Sequence, residues 1–146
     1  MYSLIYGPEE IKSNKYYKWI CFFGLGQRHY HRKNGPAVVY NDSTEVWYFK
    51  GEIHRDNNLP AVEWADGAKE YWLNGEEYIL RENGTKEFYN GFLELSRFDK
   101  PAIEYANGDE EWWFNGKRHR KNGSAIIYGD KQFWFEDGEF IKCIQK

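Results

Sequence analysis

The sequence predicts an all-β fold: an antiparallel meander of about ten strands, built from hairpin repeats of about 23 residues in a single twisted or curled sheet. Three observations predict it. A phrase of aromatic residues, a turn ending in Gly, a His-Arg step and then Pro-Ala or Ser-Ala recurs along the chain. Asn-Gly and Asp-Gly dipeptides punctuate it at short intervals, and these supply the positive φ angles of tight hairpin turns. No helix-period stretch longer than two turns interrupts them.

The phrase is clearest as Trp47-Tyr48-Phe49-Lys50-Gly51-Glu52-Ile53-His54-Arg55 followed by Pro60-Ala61, and as Trp112-Trp113-Phe114-Asn115-Gly116-Lys117-Arg118-His119-Arg120 followed by Ser124-Ala125. Residues 1–18, with Pro8-Glu9-Glu10-Ile11-Lys12, are expected to form an N-terminal cap containing a short helical turn. Residues 19–146 then form the repeat array as one domain.

Each repeat carries two turn signals. The first is Asp42-Ser43, Asp66-Gly67, Asn107-Gly108 or Gly129-Asp130. Counting outward from a two-residue loop sets Val38 opposite Trp47, Val62 opposite Tyr71, Ile103 opposite Trp112 and Ile126 opposite Phe133. The neighbouring positions then set Ala37, Ala61, Ala102 and Ala125 opposite Tyr48, Trp72, Trp113 and Trp134. One face therefore carries β-branched residues against rings and the other carries Ala against rings. The second signal is Lys50-Gly51, Asn74-Gly75, Asn90-Gly91, Asn115-Gly116 and Asp137-Gly138. It sets Trp113 opposite Arg118, Trp112 opposite His119 and Trp47 opposite His54. The Gly/Asn-rich stretch that follows, such as Lys33-Asn34-Gly35, reads as a bulge or bend leading into the next strand. Between Gly75 and Pro101 one unit is truncated, and Ser96-Arg97 stands where His-Arg stands elsewhere.

The bulk composition narrows the function. Aromatics make up 20% of the 146 residues beside 29% charged ones, which suits strands alternating buried rings with solvated groups. A net charge of −3 argues against a general binder of nucleic acid or anionic membrane. No apolar run approaches the roughly 20 residues that cross a bilayer, so no membrane insertion is expected. The first residues lack the pattern of a secretory leader. A cytoplasmic location is therefore expected, with Cys21 and Cys143 reduced.

Two sets of side chains are candidates for partner binding. Arg32, Arg55, Arg97, Arg118 and Arg120, with His31, His54 and His119, recur once per unit along one edge. Such a row could grip carboxylates or phosphates. Its structural alternative is cation–π packing over the rings and charges that protect strand edges. Tyr48, Trp72, Trp113 and Trp134 share one sheet face and could stack on a partner; their alternative is burial by curling or by a second subunit. His29-Tyr30-His31 puts two imidazoles on one strand face without a third ligand at a telling spacing, so no metal site is expected. No nucleophile elbow, phosphate loop or carboxylate pair suggests catalysis, and no cofactor is expected.

Through Trp113-Phe114-Asn115-Gly116-Lys117-Arg118-His119 and the Asp66-Gly67 and Asn107-Gly108 turns, residues 19–140 resemble the MORN repeat family of stacked β-hairpins. The form His31-Arg32-Lys33-Asn34-Gly35-Pro36-Ala37 resembles a MORN-like variant of phage and large-virus proteins, with Arg32, Arg55 and Arg120 replacing the usual Gly after His. The resemblance implies a non-catalytic protein-binding module. In its viral form it implies a protein of the host cytoplasm that binds and inhibits a host defence factor. A self-associating scaffold, including a homodimer, is the first alternative. Nucleic-acid binding or nuclease activity on the basic edge is the second.

Overall fold

The computed structural model describes residues 11–13, 17–22 and 25–146, with side chains from Tyr30 onward. Among the described residues there is no helix and every strand pairing is antiparallel. The all-β meander read from the sequence is thus what forms. The chain divides into two compact units, Met1–Glu77 and Tyr78–Lys146.

The first unit contains β1 (Ile11–Ser13), β2 (Tyr17–Phe22), β3 (Leu25–Tyr30), β4 (Val38–Tyr40), β5 (Glu45–Val46), β6 (Tyr48–Phe49), β7 (Glu52–Ile53), β8 (Val62–Glu63) and β9 (Lys69–Leu73). Its main ladder runs β1-β4-β5-β8-β9, while β2–β3 and β6–β7 are separate two-stranded ribbons. The second unit contains most of β10 (Glu76–Leu80), then β11 (Lys86–Phe88), β12 (Ile103–Glu104), β13 (Glu110–Glu111), β14 (Trp113–Phe114), β15 (Lys117–Arg118), β16 (Ile126–Tyr128), β17 (Lys131–Glu136) and β18 (Glu139–Gln145). Its ladder runs β10-β11-β12-β13-β16-β17-β18, with β14–β15 as a separate ribbon. Ile11–Ser13, inside the expected helical cap, is a strand paired with Val39 and Tyr40; residues 1–10 of that cap lie outside the described residues.

The two turn signals make different turns, and this corrects the register. At Asp66-Gly67 the Gly67 amide donates to the Trp64 carbonyl and the Trp64 amide to the Ala68 carbonyl, both at 2.9 Å. The loop is therefore three residues long, with only Gly67 at positive φ (89°). The Asp66 carboxylate caps the Ala68 amide at 2.9 Å. Ser43 and Gly108 close equivalent loops. Val38 consequently faces Val46, Val62 faces Glu70 and Ile103 faces Glu111, one residue short of the rings expected there. Only the Gly129-Asp130 loop has two residues, and there Ile126 faces Phe133 as the sequence count predicts. At four of the five second signals both turn residues take positive φ, as in Asn74 (51°) and Gly75 (75°), which is the two-residue type I′ turn; at Asn90-Gly91 neither does, and the loop there is three residues long with Leu93 at φ 60°. Trp113 accordingly faces Arg118.

The shift leaves Trp47 and Trp112 outside the main ladder, while Tyr71 and Trp72 stay within β9. Trp47 follows β5 and leads into the excursion β6–β7, and the His54 amide donates back to the Trp47 carbonyl at 3.1 Å. Trp112 and His119 repeat the arrangement before β14–β15 at 3.1 Å. Between β11 and β12 the excursion shrinks to the turn Tyr89–Leu95, where the Ser96 amide donates to the Phe88 carbonyl at 3.1 Å. Ser96 thus occupies the His position, as the sequence alignment of the units predicts.

The core follows from the pattern. Val38, Tyr40, Val46 and Val62 form the buried cluster of the first unit, with Tyr48, Ile53, Trp64 and Trp72 packed against it. Each such aliphatic side chain contributes at most about 1.5–3 kcal/mol by leaving water. Ala37, Ala61, Ala102 and Ala125 are all fully buried, which is why the position before each β-branched residue is the smallest one. At the C-terminal end the pattern stops. Ile141-Lys142 replaces His-Arg, and the chain continues as β18 alongside β17, with Cys143 opposite Phe133. Cys143 is exposed and forms no disulfide.

Candidate functional site

The Arg of each His-Arg step folds inward over its own excursion. The Arg55 guanidinium lies 3.8 Å from the Trp47 ring centre, Arg97 3.6 Å from Phe88 and Arg120 3.7 Å from Trp112. In the same orientation Arg32, Arg55, Arg97 and Arg120 each donate through Nη1 to the carbonyl of Pro36, Pro60, Pro101 or Ser124, at 2.8 to 3.2 Å. Those carbonyls belong to the residue before the buried Ala, where the chain re-enters the ladder. Arg55 and Arg97 add ion pairs to Glu63 (2.8 Å) and Glu104 (2.5 Å). The Gly of the His-Arg-x-x-Gly step has the same explanation. A Cβ at Gly35 would stand 2.9 Å from the Arg32 guanidinium carbon, and one at Gly123 would stand 3.2 Å from that of Arg120.

The histidines join successive excursions. His31 Nδ1 accepts from the Lys50 amide at 3.0 Å, His54 Nδ1 from Asn74 at 3.0 Å and His119 Nδ1 from Asp137 at 3.3 Å. Ser96 does the same with its hydroxyl, taking the Asn115 amide at 3.1 Å. In each case the amide belongs to the first residue of the next type I′ turn. That amide points away from its own hairpin, so an acceptor on the preceding repeat satisfies it. The row of His and Arg predicted as a gripping edge is therefore occupied largely in joining repeats.

The other candidate face is also engaged. Tyr48, Trp72, Trp113 and Trp134 are half-buried, and burial holds the Tyr48 phenol above its usual pKa. The Trp72 indole donates to Glu70 at 3.0 Å and the Trp113 indole to Glu111 at 2.9 Å. Arg118 lies 4.8 Å from the Trp113 ring and 5.5 Å from Phe135, and Lys142 lies 4.8 Å from Trp134.

Glu111 is the most heavily bonded carboxylate among the described residues. It is 3% exposed and accepts from Tyr105 (2.8 Å), Tyr128, Trp113 and Arg118 Nε (3.3 Å). Burial alone pushes its carboxyl up, and these donors more than reverse that, leaving its pKa below the usual carboxylate value. Burial, followed by the bond to Glu111, drives the Tyr128 phenol far above its usual pKa. Four donors on one ionised carboxylate form a fixed structural node. Among the described residues these four donors meet in no second carboxylate.

Surfaces that the sequence reading missed lie beside the Arg steps. In the second unit Phe92, Leu93 and Phe98 are 87%, 85% and 83% exposed, and Phe114 is half-exposed. Phe92 and Leu93 sit at the tip of the Tyr89–Leu95 turn, with Leu93 at φ 60°, a conformation that side chains larger than Asn seldom adopt. The available signal was Phe92-Leu93 between Gly91 and Glu94, an apolar pair where turn chemistry asks for polar residues. Phe98 and Phe114 also line a cavity of about 230 Å³ floored by Trp112. The first unit has a cavity of about 470 Å³ lined by Trp47, Phe49 and Leu59. Among the described residues no group of three or more His, Cys, Asp or Glu is placed to hold a metal ion, and the His29 side chain lies outside them. Comparison with protein-family models, with curated proteins and with solved structures returned no match to this chain.

Proposed function

We propose that the chain is a non-catalytic protein-binding module whose partner docks on the excursion side of the second unit. One observation carries this reading. Phe92, Leu93 and Phe98 are each more than four-fifths exposed, in a chain whose mean hydropathy is negative. Large side chains so exposed, two at a hairpin tip with one of these on a disfavoured backbone conformation and the third in the loop after Arg97, contribute little to the fold and suit a surface that a partner covers. The Arg and His edge supports that surface by holding each excursion in place, whereas the sequence had suggested that it makes the contact itself. A net charge of −3 speaks against the nucleic-acid alternative. A host factor as partner remains the implication of the MORN-like resemblance.

The test is capture from lysate with the whole chain as bait, followed by binding of the recovered protein in purified form. Phe92→Ser with Phe98→Ser is expected to weaken that purified interaction at least tenfold while the melting temperature holds within a few degrees. Equal affinity of the variant would overturn the reading. Self-association is the second reading, favoured by β18. All seven of its residues are exposed, and among the described strands it pairs only with β17. Light scattering at increasing concentration separates it: a mass of one chain at all concentrations removes it.

A further inference from the structure

The two cavities are the same site built twice, and this deepens the proposed protein-binding role, on which it rests. Trp47, Phe49, His54 and Arg55 line the first, and Trp112, Phe114, His119 and Arg120 line the second. These pairs share one offset of 65 residues, so each cavity has the same place in its repeat. Arg32 and Arg97, from the preceding His-Arg or Ser-Arg step, close the other side at the same offset. Each cavity therefore lies between two successive Arg loops and wholly within one unit.

The chemistry of the two linings also agrees. Each has an aromatic floor and a half-exposed Phe, and each adds a further exposed apolar residue, Leu59 in one and Phe98 in the other. Each rim carries three cations, Arg32, Lys33 and Arg55 in one and Arg97, Arg120 and Lys121 in the other. Against them stand Asp56 and Asp99 in the linings and Glu63 and Glu104 paired with Arg55 and Arg97, so each rim keeps an excess of positive charge. In a chain of net charge −3 this is a local reversal of sign, repeated at both places. We infer that each unit holds one receptor for an acidic segment of a protein partner, which inserts an apolar side chain over the Trp and sets its flanking carboxylates against the rim. The charge lowers the rate of wrong encounters and the ring surface supplies the burial. One chain then takes two such segments.

The probe is a labelled, capped peptide with a central leucine flanked on each side by glutamates, titrated against the full-length protein at low salt. Its control carries lysines in place of the glutamates. Two peptides per chain are expected, with the lysine control at least tenfold weaker. Lys33→Glu and Lys121→Glu, both on exposed residues, should each weaken one site about tenfold by reversing a rim charge, leaving one site at wild-type affinity. The double variant should lose both. A stoichiometry of one in the wild type would overturn the proposal. So would equal binding of the lysine control, or no change with either variant. Absence of binding up to about 1 mM would do so as well. If lysate capture succeeds while the peptide fails, the partner-binding role stands and the paired receptors fall.

Discussion

The repeat position held by Val46 in the first unit is held by Glu111 in the second. Both are strand residues facing a β-branched partner, Val38 in one case and Ile103 in the other, and both are almost wholly buried. Around Val46 the neighbours are apolar, with Tyr40 buried beside it and Ile53 packed on the cluster. Around Glu111 the corresponding Tyr105 turns its hydroxyl inward as a donor, and Arg118 stands in the place of Ile53. The same backbone thus accepts either an apolar cluster or a fully bonded carboxylate, provided the neighbours change together. A repeat specifies geometry at each position, and the side-chain chemistry there is settled locally.

Breaking the second unit's version should give the largest effect. Glu111→Ala leaves Arg118, Trp113 and two phenols without their acceptor and is expected to cost about 3–5 kcal/mol in urea denaturation. Glu111→Val with Arg118→Ile imports the first unit's pair and should recover a large part of that loss, because the stranded guanidinium is removed too. A double variant as unstable as the sum of its singles would show that the two positions do not interact. The same node sets an acid limit. Because the folded pKa of Glu111 lies below its unfolded value of about 4.3, its contribution is full above that value and falls away as pH drops through the lower folded one. Glu111→Gln should therefore flatten the stability profile below about pH 4.5 relative to the wild type. An unchanged acid limb would break the comparison.

The Arg steps offer a smaller contrast. Arg97 has a side chain 5% exposed and Arg55 one that is 23% exposed, each with an ion pair and a carbonyl partner. Arg97→Ala is expected to cost about 2–4 kcal/mol and Arg55→Ala roughly half of that, since water can replace more of what the latter loses. Equal losses by thermal melting would mean that burial does not set the difference. Gly35→Ala should cost about 1–2 kcal/mol, because its Cβ displaces the Arg32 guanidinium from Pro36 and its φ of 119° disfavours a side chain. The smallest effect belongs to the His positions. His119→Ser copies what Ser96 already does and should stay within about 0.5 kcal/mol, whereas His119→Ala should cost about 0.5–1.5 kcal/mol by leaving the Asp137 amide without its acceptor. If serine is no better than alanine, the latch between excursions is not what stabilises them.

Much of the fold was legible in the sequence, because turn residues and the spacing of rings are local properties. The type I′ turns at Asn74-Gly75 and Asn115-Gly116 and the pairing of Trp113 with Arg118 follow from dipeptides whose φ preferences act on two residues. Asp66-Gly67 shows where that reasoning ends. Asp137-Gly138 has both residues at positive φ, whereas at Asp66-Gly67 only the Gly does, and that one-residue difference at three turns moved Trp47, Tyr71 and Trp112 away from Val38, Val62 and Ile103, while Phe133 kept its expected partner. The candidate edge was legible as a row of Arg and His, but its employment was not. Whether a guanidinium faces solvent or folds over its own Trp depends on a carbonyl four or five residues on, placed by the next strand.

By itself the sequence determined the β class, the antiparallel order, the repeat and the substitution of Ser96 for His, since each rests on backbone preferences or on recurrence. The tertiary structure alone decided the register at three of the four main turns, the inward stacking of the Arg steps, the burial of Glu111 among its donors and the exposure of Phe92, Leu93 and Phe98. These depend on which atoms of distant residues meet, and a pattern of residue types does not carry that information.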